Sequence, residues 1–164
     1  MREPAVSVAR HRAEGADAMR ALGARFATAV LDATGAAATS LLVTLVGDLG
    51  AGKTTFVGGL LQALGHVGPA RSPTYTLIEP YSLAGREVQH CDLYRLRDPE
   101  ELEDLGLRDL RGPGSIVLVE WPEKAEGRLG AADVRIEFAY DGAEARKVRF
   151  VAGSAIGATV IDRL

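Results

Sequence analysis

The stretch Gly47-Asp48-Leu49-Gly50-Ala51-Gly52-Lys53-Thr54 satisfies the pattern G-x-x-x-x-G-K-[ST] at every specified position. An apolar run, Leu41 to Val46, precedes it. Lys53 to Leu64 follow, with Phe56, Val57, Leu60, Leu61 and Leu64 at helical spacing. A buried strand, a glycine-rich turn and a helix in that order confine the chain to an α/β fold with a strand covered on both faces. The chemistry of such a turn follows from its residue types. Glycines let the backbone close round phosphate oxygens with its N–H groups turned inward. The helix that starts at Lys53 adds the partial positive charge of its N-terminus. Lys53 has the length to reach the β- and γ-phosphates, and Thr54 offers a hydroxyl to Mg²⁺.

The rest of the chain continues the alternation. Met19, Leu22, Phe26, Ala29 and Val30 predict an amphipathic helix over about residues 14–33. Thr74 to Tyr81 and Val88 to Leu96 read as two strands, joined as a hairpin by Leu83-Ala84-Gly85-Arg86. Asp98-Pro99-Glu100-Glu101 is a helix start, with Asp98 as N-cap, that runs to about Leu105. Ser115 to Val119 is a second buried strand. Val134 to Tyr140 and Arg146 to Val151 alternate about Asp141-Gly142 as a second hairpin, and Ile156 to Leu164 closes with a short helix.

Composition limits what this machinery can do alone. The 164 residues, 47% hydrophobic and 25% charged, amount to one domain. One cysteine excludes an internal disulfide framework and any multi-cysteine metal centre. A net charge of −3 argues against a free-standing nucleic-acid clamp. The charged N-terminal segment lacks the apolar core of a secretory signal, and no apolar run approaches the ~20 residues of a membrane span. The expectation is a soluble, cytoplasmic protein without membrane contact.

A phosphate loop of this kind calls for an acidic residue at the end of a neighbouring buried strand. Glu120, after Ile116-Val117-Leu118-Val119, fits best, as a metal-side group or as the group that orients an attacking water. Asp92, in His90-Cys91-Asp92-Leu93-Tyr94-Arg95, is the second candidate; its plainer reading is a partner for Arg95 or a backbone cap. Trp121 is the only tryptophan, either a core residue or a ring beside the nucleotide. Ser72-Pro73-Thr74-Tyr75-Thr76 stands where nucleotide hydrolases keep a switch that senses γ-phosphate and Mg²⁺, and otherwise reads as a loop-to-strand junction. Cys91 reads as a packed strand residue, and His90 as a structural strand residue or, otherwise, as a ligand or proton carrier. The chain contains no asparagine, so an Asn-Lys-x-Asp guanine reader is excluded, and ATP is favoured over GTP.

The blocks GDLGAGKTTF, SPTYTLIEPY, HCDLYRLRDPEELEDLGLRD and VEWPEK, in that order, resemble the TsaE-like (YjeE-like) family of bacterial P-loop ATPases required for threonylcarbamoyl-adenosine modification of tRNA. The resemblance is close over Leu41 to Glu123. It implies a P-loop NTPase-like three-layer α/β/α domain over residues 1–164, with a mixed central sheet and helices on both sides. It implies weak ATP hydrolysis alone and work with TsaD-like and TsaB-like partners, with tRNA contacted indirectly if at all. By position, Asp48, Leu49, Gly50, Ala51, Gly52, Lys53, Thr54 and Thr55 would bind ATP phosphates, and Thr54 and Glu120 would hold Mg²⁺. Asp92 would serve hydrolysis with Lys53 and Glu120, and Trp121 and Thr74 would line the nucleotide site, with Tyr75 beside Thr74 in the switch-like segment. Asp17, Glu144 and Arg146 are the candidates near the base. Two other functions share the loop: a small-molecule or nucleoside kinase, and a nucleotide-binding scaffold without turnover.

Overall fold

The computed structural model describes residues 6–35, 39–70, 73 and 76–164. The elements run β1 (Val8–Glu14), α1 (Gly15–Thr34), β2 (Leu41–Val46), α2 (Lys53–Ala63), β3 (Ile78–Leu83) and β4 (Arg86–Asp92). Then come α3 (Glu101–Asp104), β5 (Ile116–Glu120), a 3₁₀ turn (Pro122–Ala125), β6 (Val134–Asp141), β7 (Ala145–Ala152) and α4 (Ala155–Ile161). The seven strands form one sheet in the order β1-β7-β6-β2-β5-β4-β3. β2 pairs in parallel with β5 and β6, and β4 pairs in parallel with β5. The outer pairs β3–β4, β6–β7 and β1–β7 are antiparallel. The fold is α/β with a mixed sheet, as expected.

The two faces of the sheet carry unequal cover. One core joins Leu41, Val43 and Leu45 of β2 to Phe26 of α1, Phe56 and Leu60 of α2, Phe150 of β7 and Val160 of α4. Phe150 stacks on Phe26 at 5.7 Å between ring centroids and lies 6.1 Å from Phe56. The opposite core is smaller and joins Leu42, Val117, Val119 and Cys91 to Leu102 of α3 and Ala125 of the 3₁₀ turn. Long helices therefore lie on one side, and short turns on the other. At Gly23 and Gly59, α1 and α2 cross backbone against backbone. A Cβ on Gly23 would stand 2.1 Å from the Phe56 carbonyl oxygen, and one on Gly59 would stand 2.1 Å from that of Arg20. This close crossing seats α1 beside the loop between β2 and α2.

Several local expectations need correction. β1 is a strand within the charged N-terminal segment, where none was expected. It is an edge strand that turns Ala9, His11 and Ala13 toward the helix layer and Arg10, Arg12 and Glu14 to the other side, so its inward residues are too small or polar to mark it. β3 begins at Ile78, after Leu77 with φ 60°; Thr74 and Tyr75, where a strand was expected to start, lie outside the described residues. β4 ends at Asp92 instead of Leu96, because the Tyr94 N–H donates to Asp92 Oδ1 at 3.0 Å and turns the chain out of the ladder. In the second hairpin Asp141 pairs with Ala145, so the turn is residues 142–144 and not Asp141-Gly142. The helix expected to start at Asp98 starts instead at Glu101, with Glu100 at the N-cap; Asp98 closes the turn before it, accepting from the Glu100 N–H and donating its own N–H to Glu101 Oε1. Among the described residues, no helix is long and apolar enough to cross a membrane.

Candidate functional site

The loop leaves the C-terminal end of β2 and folds on itself through a hydrogen bond from the Ala51 N–H to the Asp48 carbonyl at 3.0 Å. It enters α2 through Gly52, whose φ of 103° is in the left-handed region. The left-handed backbone there favours glycine, and a Cβ would push the Met19 terminal methyl of α1, 2.9 Å away, out of its place. The first turn of α2 then points N–H groups that have no partner within the helix toward the loop. Lys53 is the first residue of α2 and is buried. Its ammonium donates to the carbonyls of Gly47 and Asp48 and lies 4.1 Å from the centroid of the Trp121 ring. Burial pulls its pKa below the ordinary lysine value, and Glu120 is the largest of the charges that oppose this.

Glu120 ends β5, and only 1% of it is exposed. Its Oε1 accepts from the Thr54 hydroxyl at 3.1 Å, and its Oε2 lies 3.0 Å from His90 Nε2. The parallel β4–β5 register sets Asp92 directly beside Glu120. Burial pushes the Asp92 carboxyl above the ordinary carboxylate range; the Tyr94 N–H opposes this, and the charge of Glu120 adds to it. The chain turns sharply after Glu120, since Trp121 adopts φ 57° and ψ 49°. A left-handed conformation at a tryptophan costs on the order of 1 kcal/mol. It carries the indole over Lys53 and to 5.0 Å from the Tyr94 ring.

The loop residues Asp48 to Thr55 thus form one continuous strand-end, turn and helix start, and Thr54 and Thr55 line a cleft of about 410 Å³ with Arg20 and Gly58. Lys53, Thr54, Glu120, Asp92 and Trp121 converge on this end of the sheet. Thr74 lies outside the described residues. Asp17 is exposed on α1 and pairs at 2.6 Å with Arg20, which lines that cleft. The Glu144 carbonyl accepts from the Gly15 N–H at 3.0 Å and ties the β6–β7 turn to the start of α1. Arg146 reaches the Gly50 carbonyl at 3.5 Å and stacks on Tyr140 at 4.1 Å. Three further residues adjoin the site: Tyr140 and Tyr94 carry no mark as site residues in the sequence, and His90 reads there first as structural. Tyr140 donates its hydroxyl to the Leu49 carbonyl at 2.8 Å. Tyr94 packs on Trp121, and His90 touches Glu120. A signal existed for His90 alone: it stands two residues before Asp92, which in a strand puts both on one face.

The donor set suits a hard cation bound together with phosphate. Among the described residues, no group of three or more His, Cys, Asp and Glu is placed to hold a metal unaided. Thr54 and Glu120 present two adjoining oxygens beside the loop, which matches Mg²⁺, an ion that takes few protein ligands and completes its shell with phosphate and water.

Comparison with known proteins converges on one family. The profile described as "Threonylcarbamoyl adenosine biosynthesis protein TsaE" matches residues 13–148. The chain belongs to the TsaE family. The TsaE protein of Haemophilus influenzae is 48% identical over 123 residues, covering 75% of this chain and 77% of that one. The TsaE protein of Bacillus subtilis is 39% identical over 111 residues, covering 68% and 69%. Both are named tRNA threonylcarbamoyladenosine biosynthesis proteins. The crystal structure of Bacillus subtilis YdiB superposes with a TM-score of 0.72 at 26% identity, covering 98% of this chain and 95% of that one. The TsaE profile takes in the phosphate loop, Asp92, Glu120 and most of the β6–β7 hairpin.

Proposed function

We propose that this TsaE-family chain binds ATP with Mg²⁺ and hydrolyses it. We take residues 1–164 as a single cytoplasmic domain, the ATPase component of the tRNA threonylcarbamoyladenosine system, acting with TsaD-like and TsaB-like partners that carry the substrate tRNA. The observation that carries this reading is the contact between Thr54 and Glu120 at the mouth of the loop, with Lys53 alongside. It joins a phosphate cradle to a metal-side carboxylate.

In the mechanism that follows, Lys53 exchanges the carbonyls of Gly47 and Asp48 for phosphate oxygens. Its partial burial strengthens that charge contact relative to water. The loop N–H groups from Gly50 to Thr54 bind the remaining phosphate oxygens. Thr54 and Glu120 would hold the metal, which would neutralise developing charge on the phosphates. Asp92, beside Glu120, orients the attacking water and accepts its proton. Trp121 and Tyr94 wall the site on the Lys53 side and exclude bulk water. Arg146 and Tyr140 brace the tip of the loop through the carbonyls of Gly50 and Leu49.

The test is ATP hydrolysis measured alone and with the TsaD-like and TsaB-like subunits. Slow turnover alone and clear stimulation by the partners is the expected result. Stimulation by a small hydroxyl acceptor, and none by the partners, would replace the ATPase with a kinase.

A further inference from the structure

His90 is fully buried, with 0% of its surface exposed. It lies on β4, on the strand face shared by Val88 and Asp92, which looks toward the helix layer. Its Nε2 is 3.0 Å from Glu120 Oε2, and its Nδ1 has no hydrogen-bond partner. An imidazole is a poor filler for this place. Its register neighbours across the sheet are Leu118 on β5 and Glu79 on β3, neither of which reaches Nδ1, and a buried ring nitrogen left without a partner is costly. The compensating contact is the one to Glu120.

The hydrogen-bond pattern also sets the tautomer. Glu120 Oε2 accepts, so Nε2 carries the hydrogen. Nδ1 is bare, because a hydrogen there would be a buried donor without an acceptor.

We propose that His90 is the positioning residue of this site: its Nε2–H holds Glu120 Oε2 so that Oε1 stays turned to Thr54 and to the metal position. The inference rests on the reading of Thr54 and Glu120 as metal ligands. The groups round Glu120 show what the hydrogen bond prevents. Thr54 and Lys53 approach it from α2, and Asp92 adjoins it on β4. A buried carboxylate free to turn about its last bond would swing toward the Lys53 ammonium. That ion pair would withdraw both groups from phosphate and metal. With Oε2 engaged by His90, Lys53 instead donates to the carbonyls of Gly47 and Asp48 and remains exchangeable. Partners that orient a ligating side chain in this way are worth about tenfold to a hundredfold in metal affinity.

The experiment uses the full chain and reads binding, not turnover. ADP binding is titrated by calorimetry over a range of Mg²⁺ concentrations, and once in EDTA. The proteins are the wild type, His90→Leu and His90→Gln. In His90→Leu, the Mg²⁺ needed for half-maximal enhancement of ADP binding rises about tenfold or more, and affinity in EDTA is unchanged. His90→Gln keeps an N–H donor and recovers most of the loss. A merely structural role would lower both affinities together and would give no selective rescue. Wild-type Mg²⁺ dependence in His90→Leu overturns the proposal and leaves the ATPase reading standing. Absence of Mg²⁺-dependent ADP binding in the wild type overturns that reading, and this proposal with it. A second measurement needs no variant: the ¹⁵N shifts of the His90 ring in the nucleotide-free wild type. Hydrogen on Nε2 with Nδ1 bare is expected, and hydrogen on Nδ1 with Nε2 bare would overturn the proposal even if His90→Leu fails to fold.

Discussion

The parallel centre of the sheet, β2, β5 and β4, and the antiparallel wing, β6, β7 and β1, use charge in opposite ways. In the centre the charged Lys53 and Glu120 are buried, within or beside strands of near-continuous apolar sequence. In the wing the charges lie on the side away from the helices and pair along and across strands. Arg149 meets Glu137 at 2.8 Å, Arg135 meets Glu137 at 3.0 Å and Arg12 meets Asp141 at 2.8 Å. A half-exposed pair such as Arg149–Glu137 contributes about 0–1 kcal/mol. Buried charges cost far more to keep and are retained where they bind something. Charge density alone is therefore a poor guide in this molecule: the charges that matter chemically are the few taken out of water. The two regions share the parallel β2–β6 ladder, and at the site they touch where Tyr140 and Arg146 at the tip of the wing reach the carbonyls of the phosphate loop.

Substitutions separate the regions. The largest effect short of losing the loop lysine belongs to Glu120. Glu120→Ala removes the metal-side oxygen and lowers ATP turnover by about a hundredfold or more, while nucleotide binding in EDTA persists. Near-normal turnover would move Glu120 out of the chemistry.

Asp92→Asn comes next, and its two effects have opposite signs. Turnover falls by about tenfold to a hundredfold with the loss of the water-orienting carboxylate. Stability at neutral pH rises, because burial raises the Asp92 pKa in the folded state above its unfolded value near 3.8. A carboxyl shifted upward favours folding below the unfolded value, and that benefit is lost as pH rises through the folded value. Ionised Asp92 at pH 7 is thus a cost that the neutral amide of the variant escapes, while the side-chain carbonyl still accepts from the Tyr94 N–H. The melting temperature of the variant exceeds that of the wild type by a few degrees at pH 7, and the gap narrows toward pH 4. A gap of equal size at both pH values would contradict the assignment.

The smallest effect lies in the wing. Arg149→Ala removes one partner of Glu137 and changes unfolding free energy by less than about 1 kcal/mol, with ADP affinity unchanged. A large drop in ADP affinity would show that wing and loop are coupled beyond the Tyr140 and Arg146 contacts.

The centre was legible in the sequence because its information is local. The spacing of Gly47, Gly52, Lys53 and Thr54 carries the loop, and unbroken apolar runs mark β2 and β5. The carboxylate at the end of β5 follows from where such loops need one. What escaped depends on contacts between distant segments. β1 has no apolar stripe, because an edge strand beside α1 needs only Ala9, His11 and Ala13 on its inner face. The end of β4 is decided by a side-chain cap on Tyr94 that competes with the ladder. The glycine-to-backbone crossing of α1 and α2 unites residues of two helices and leaves no periodic trace. His90 and Glu120 are 30 positions apart, so only the parallel register of β4 and β5 reveals that they touch.

Everything proposed for this chain depends on the concavity between β2 and α2 being a phosphate site commanded by Lys53. Calorimetric titration of ADP with Mg²⁺ into the wild type and Lys53→Ala decides this. Saturable binding at one site in the wild type, weakened by about a hundredfold or more in the variant, is the expected result. Equal affinity in the two proteins, or no binding to the wild type, would contradict it.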